Sequence, residues 1–227
     1  MQTHQVTKDY EKNLAGFTKF FSSHFARSKE LLIIVFVVNF VESFSNKFEL
    51  QFLDLGCGRG RHLQLAEQSG FSKSNLVGSD ISSGQLKTVS DKGYKVVQCD
   101  FTSIPMESGS FDSIICIAAF HHLLDIDLQK KALFEFKRIL SKNGGRMLIS
   151  NWFPEKEFLD KQVNKGKFVF DQGCSQKVRV TYDLDGEKLD RFYYLFKEDE
   201  LDKLLVECGF KIISKEHYQG NLYHILE

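Results

Sequence analysis

A nine-residue run, Phe52-Leu53-Asp54-Leu55-Gly56-Cys57-Gly58-Arg59-Gly60, restricts the possible folds of this chain more than any other feature. An apolar strand, residues 50–55, stops at three alternating glycines, and residues 61–68 then read as a helix. Glycine adopts positive φ without steric penalty and leaves no side chain between the main chain and a ligand. Such a strand–turn–helix unit opens a parallel α/β crossover, and open α/β sheets bind ligands beyond the carboxyl ends of their strands. A tight turn without a ligand is the plain alternative.

Strand and helix signals go on alternating: strand 75–79, helix 82–92, strands 94–99 and 111–118, helix 127–140, strand 146–151. The 111–118 run, FDSIICIA, is almost continuously apolar, as a strand buried on both faces must be. A charged stretch, 153–190, reads as irregular; helix 198–208 and a strand pair, 210–215 and 221–226, close the chain. Residues 5–46 read as two helices broken near 22–28. This alternation predicts a mostly parallel sheet with helices on both faces. The 227 residues fit one such domain, with N-terminal helices over 1–48, a ligand-binding half over 49–152, an insertion over 153–190 and a closing segment over 191–227.

The apolar run 31–41 is far shorter than the ~20 residues of a membrane-spanning helix, so a buried element is expected. Residues 1–12 are polar and show no secretory signal. The five cysteines are scattered and never spaced C-x-x-C, which argues against a zinc site or a disulfide framework and for reduced thiols in a cytoplasmic protein. Thirty basic and thirty acidic residues cancel, so nucleic-acid binding would need a local patch.

The glycine spacing is G-x-G-x-G. The dinucleotide fingerprint G-x-G-x-x-G fails, because its third glycine would fall on Arg61 or Leu63. A second strand ends at Asp80, whose carboxylate can accept both hydroxyls of a ribose. A third ends at Asp100, where a carboxylate can accept from an adenine amino group. Each acid alone is more often a solvated strand-end charge or a helix N-cap; recurrence at three successive strand ends favours a ligand.

FLDLGCGRG, GSDIS, QCDFTSIP and FDSIICIAAFHH, in this order, resemble the class I S-adenosylmethionine-dependent methyltransferases over about residues 50–152. The resemblance implies a Rossmann-like seven-stranded sheet whose last strand is antiparallel. It implies that Asp54, Gly56, Gly58 and Gly60 lie beside the methionine part of the cofactor. Asp80 with Ile81 would lie at the ribose, Asp100 with Phe101 at the adenine, and Ile117 and Ala118 along the pocket.

Further segments resemble the tRNA wobble-uridine carboxymethyl O-methyltransferases: the pair His121-His122, Trp152 after the fifth strand, Arg191-Phe192-Tyr193-Tyr194-Leu195-Phe196, Asn221-Leu222-Tyr223, and His24-Phe25 with Arg27. That family's Pro-Trp-Pro is absent here. The resemblance implies catalytic positions at Arg191, His121, His122 and Tyr193, and substrate contacts from His24, Arg27, Trp152 and Asn221. It also implies a small zinc-binding activator protein on the edge strand 94–99. Arg191 is the expected carboxylate or phosphate clamp. Its plain alternative is a surface salt bridge; that of the histidines and Tyr193 is packing. Residues 161–181 carry five cations against one acid, so Lys165 and Lys167 are candidate tRNA contacts, or members of a solvated loop. Competing functional readings are a small-molecule O- or C-methyltransferase for a metabolite, quinone precursor or lipid, and a non-catalytic partner subunit, against which the intact glycines and acids weigh.

Overall fold

The computed structural model describes residues 28–184, 187–197, 199–218 and 220–227. In chain order the strands are β1 (Phe52–Leu55), β2 (Leu76–Asp80), β3 (Lys95–Gln98), β4 (Ser113–Ile117), β5 (Arg146–Trp152), β6 (Phe168–Phe170), β7 (Lys177–Leu184), β8 (Glu187–Tyr194), β9 (Ile212–Tyr218) and β10 (Asn221–Leu226). The helices are α1 (Ser28–Glu42), α2 (Arg61–Gln68), α3 (Ser83–Asp91), α4 (Ile126–Ile139), α5 (Lys156–Asn164) and α6 (Glu200–Glu207). Any helix before residue 28 lies outside the described residues.

Seven strands form one sheet in the order β3-β2-β1-β4-β5-β10-β9. The pairs among β1 to β5 are parallel, and β10 runs antiparallel to both β5 and β9. This is the expected Rossmann-like arrangement, antiparallel last strand included. β1 and β4 are buried throughout because helices cover both faces. On one face Leu133, Phe136 and Ile139 of α4 and Leu201 and Leu205 of α6 pack on the sheet. On the other, Val37, Phe40 and Val41 of α1 meet Phe52, Leu63 and Phe71. Burying one such side chain contributes roughly 1.5–3 kcal/mol, so the apolar run 31–41 belongs to a core helix. Among the described residues no helix is long and apolar enough to cross a membrane.

The stretch expected to be irregular is not. It holds α5 and a second, antiparallel sheet in the order β6-β7-β8. Val178, Val180 and Tyr193 form its buried face with Phe168 and Leu195. The strand signal in KVRVTYDL is an alternation whose outward members are charged or polar, so composition hid it. The Asp185-Gly186 pair between β7 and β8 is a hairpin signature in sequence.

Candidate functional site

The glycine run brings the chain from β1 into α2. The amides of Gly56 and Cys57 both donate to the Ser79 carbonyl, at 2.8 and 2.9 Å, tying the turn to β2. Gly56, Gly58 and Gly60 all have positive φ. A Cβ on Gly56 would come within 2.5 Å of Ala119 Cβ, whereas one on Gly58 would meet nothing among the described residues within 4 Å. Among them, the main chain at Gly58 is therefore left bare. Gly60 caps α2.

Asp80 ends β2 with its carboxylate fixed by main chain: Gly58 N–H donates to Oδ2 at 3.0 Å and Ser82 N–H to Oδ1 at 2.9 Å. Each oxygen keeps a lone pair for another donor. At the end of β3, Asp100 accepts from Thr102 N–H and Oγ1–H, and these bonds hold its carboxyl below the usual range. Phe101 packs edge-on against Phe136 beneath the turn. Arg138 on α4 donates to the Ile104 and Met106 carbonyls and fixes this loop.

A cleft of about 480 Å³ opens over these groups, within the size range of small-molecule sites. Gly56, Asp80, Ile81, Asp100, Phe101 and Ala118 line it, with Cys99, Ala119, His122 and Leu123. Ile117 turns into the core behind it instead. Asp54 is fully buried below. Ala118 is left-handed at φ +53, unusual for a residue with a Cβ. Its N–H donates to both the carbonyl and Oγ of Ser150, at 3.1 Å each. Such strain persists where surroundings over-determine it.

His121 supplies the other half of that hold. Its ring is hydrogen-bonded to the Ala118 backbone, and its Nδ1 accepts from Trp152 N–H at 3.0 Å. Burial, then the neighbouring His122, pushes its pKa down to about 3, so the ring is neutral. His122 sits at the cleft, its ring against Tyr193 and one edge in solvent. Its Nδ1 lies 2.9 Å from the Phe192 carbonyl. A carbonyl only accepts, so Nδ1 carries the proton and Nε2 has the lone pair. Burial of the ring and the adjacent Arg191 charge lower its pKa, against the Phe192 bond, which raises it.

Cross-strand pairs put Val178 opposite Tyr193, Val180 opposite Arg191 and Tyr182 opposite Leu189, all on one face of the small sheet. Arg191 lies over the Tyr182 ring at 5.2 Å, and Tyr182 shares a 3.0 Å hydrogen bond with Tyr193. Among the described residues Arg191 has no acidic partner within salt-bridge distance. Tyr193 packs on both histidines and on Trp152. Asn221 pairs with Trp152 across β10 and β5.

Lys165 and Lys167 are exposed at the turn from α5 to β6, two strands away from β8. Arg179 pairs with Asp190 at 3.2 Å, so the positive charge of 161–181 is smaller in space than along the chain. His24 and Arg27 lie outside the described residues. Ser150, Tyr182 and Arg138 were not legible in sequence, because each acts through a partner at least 11 residues away.

Residues 53–149 match the model of the methyltransferase domain family. ECU09_1500 of Encephalitozoon cuniculi, a methyltransferase by name, is 30% identical over 77% of this chain and 77% of its own length. The tRNA (carboxymethyluridine(34)-5-O)-methyltransferase of Arabidopsis thaliana is 39% identical over 46% of this chain, which spans only 24% of that protein. A solved S-adenosylmethionine-dependent methyltransferase from Clostridium acetobutylicum shares the fold, with a TM-score of 0.63 at 17% identity, covering 96% of this chain and 98% of that one. The fixed Asp80 carboxylate and the bare main chain at Gly58 fit such a cofactor, and this chain belongs to the S-adenosylmethionine-dependent methyltransferases.

Proposed function

We propose that this methyltransferase acts on the carboxylate of a carboxymethyluridine at the tRNA wobble position. The observation that carries the reading is Arg191, an exposed guanidinium with no acidic partner among the described residues, beside the cleft-lining His122. The partial likeness to wobble-uridine enzymes supports it.

Bound S-adenosylmethionine supplies a methyl group on a positively charged sulfur. Asp80 would hold the ribose, Asp100 and Phe101 the adenine, and the main chain at Gly56 and Gly58 the methionine end, with Asp54 beneath. Arg191 clamps one oxygen of the substrate carboxylate and turns the other toward the methyl. A carboxylate is already ionised at neutral pH, so no general base is needed, and catalysis is alignment. His122 orients the substrate through its Nε2 lone pair. His121 and Ser150 are positioning residues that hold Ala118. Trp152, Tyr193 and Asn221 support the wall on which Arg191 stands. Lys165 and Lys167, roughly 10 Å from β8 at two strand spacings, suit a polynucleotide better than a small molecule. A zinc-binding activator would add a strand at β3.

The test is methylation of tRNA carrying wobble carboxymethyluridine, read by mass spectrometry of its nucleosides, with and without such an activator. The methyl ester is the expected product. The second reading, a small-molecule O-methyltransferase, draws on the Arg179–Asp190 pair, which leaves less free positive charge for RNA. Turnover on free carboxylic acids with none on tRNA would favour it.

A further inference from the structure

We propose that His62 is the positioning residue for Asp54 and through it sets how tightly the amino-acid end of S-adenosylmethionine is held. The inference rests on the cofactor placement given above.

Asp54 is completely buried on β1, two residues before the cleft-lining Gly56. Among the described residues neither carboxylate oxygen has a hydrogen-bond partner. Buried carboxylates without partners are costly and rare, and each requires an explanation. Among the described residues no lysine or arginine pairs with it. The nearest basic group is His62, in the first turn of α2, whose Nδ1 lies 3.6 Å from Asp54 Oδ2. His62 is itself buried, and its Nε2 also lacks a partner. The other ionisable groups brought here are thiols. Burial and then the Asp54 charge push up Cys57 in the turn and Cys116 on β4, and Asp80 adds to the effect on Cys57.

The pair is therefore a half-built cation site. An imidazole stands on one side of the carboxylate, and the buried negative charge lies beneath the glycine turn, where it attracts a positive ligand group seated on that turn. The methionine end of the cofactor carries such a group, its α-ammonium. A histidine that merely filled core space would have satisfied nitrogens or apolar surroundings; His62 faces the orphan carboxylate.

Two ligands separate these cases. S-adenosylhomocysteine carries the α-ammonium, whereas 5′-methylthioadenosine keeps the adenosine and lacks the amino-acid end. Calorimetry on the full chain compares wild type with His62→Leu, His62→Gln and Asp54→Asn. We expect His62→Leu to weaken S-adenosylhomocysteine several-fold, because the Asp54 carboxylate loses the polar neighbour 3.6 Å from its Oδ2, and to leave 5′-methylthioadenosine unchanged. His62→Gln, whose amide still donates, restores most of the loss. Combining His62→Leu with Asp54→Asn adds little to Asp54→Asn alone. Equal weakening of both ligands, or no weakening of S-adenosylhomocysteine, overturns the proposal. If His62→Leu does not fold, His62→Phe, which keeps a ring in the same space and cannot donate, takes its place and is read on the two ligands in the same way. A wild-type protein that binds neither ligand overturns the cofactor placement instead.

Discussion

Gly58 N–H donates to Asp80 Oδ2 at 3.0 Å, so the glycine turn after β1 and the acid at the end of β2 are one hydrogen-bonded unit. Asp80→Ala removes the acceptor of both Gly58 and Ser82 and the proposed ribose contact. Each lost hydrogen bond to a charged group is worth about 1.5–3 kcal/mol, so cofactor affinity should fall at least tenfold. Asp80→Asn, which keeps one acceptor oxygen, should fall less. Calorimetry measures both; an Asp80→Ala protein with wild-type affinity would place the ribose elsewhere.

Gly56 and Gly58 share a left-handed backbone but differ in what surrounds them. Gly56→Ala drives a methyl into Ala119 and should lower the thermal midpoint markedly. Gly58→Ala costs only the backbone strain, about 1–2 kcal/mol, while its methyl fills the space left for the ligand. It should fold and lose cofactor. Thermal melts with and without S-adenosylmethionine separate the two, and equal behaviour would contradict the distinction.

The Arg191 charge helps to keep His122 neutral. Wild-type turnover should stay flat as pH falls through the ordinary histidine value, near 6.5. Arg191→Gln should lower turnover with cofactor affinity intact, and its acidic limb should shift to higher pH. A pH–rate profile for each protein checks this. Identical acidic limbs would disconnect the two residues.

His121 gives a stability prediction. Its folded-state pKa, about 3, lies below the ordinary 6.5, so the unfolded chain binds the extra proton first. The stabilisation from its neutral form is complete above 6.5 and declines as pH falls from there toward 3. His121→Gln should be less stable than wild type at neutral pH, but should lose less stability on acidification. Urea titrations at about pH 7.5 and about pH 5, either side of the ordinary histidine value, measure the difference. Parallel losses would remove His121 from the account.

If tRNA is the substrate, Lys165→Glu with Lys167→Glu should weaken tRNA binding and flatten its salt dependence. Cofactor affinity should not change, because the turn from α5 to β6 lies away from the cleft. Filter binding across a salt series is the measurement. An unaltered salt slope would remove these lysines from the RNA path.

Most of the cofactor half was legible because it depends on local signals. Helix Arg61–Gln68 has the expected ends, and Asp80 and Asp100 stand at strand ends because strand, turn and helix punctuation lies along the chain. The substrate side depends on pairings that sequence order conceals. Asp190 neutralises Arg179 only because β7 and β8 are antiparallel. His121 became a brace for Ala118 only once β4 and β5 lay side by side. The charged outward residues of β7 made a regular strand read as loop.

The two sheets differ in how they are assembled from the chain. The cofactor cleft gathers residues from four separated strand ends, so any change there must suit several distant segments at once. The small sheet with α5 is one continuous stretch inserted after β5, and it meets the cleft through β8, by the Phe192 carbonyl on His122 and the Tyr193 ring against both histidines. Its outline can thus drift, or be exchanged for that of a relative, while the methyl donor stays where it is held. A lineage could acquire a new acceptor molecule by rewriting this one cassette.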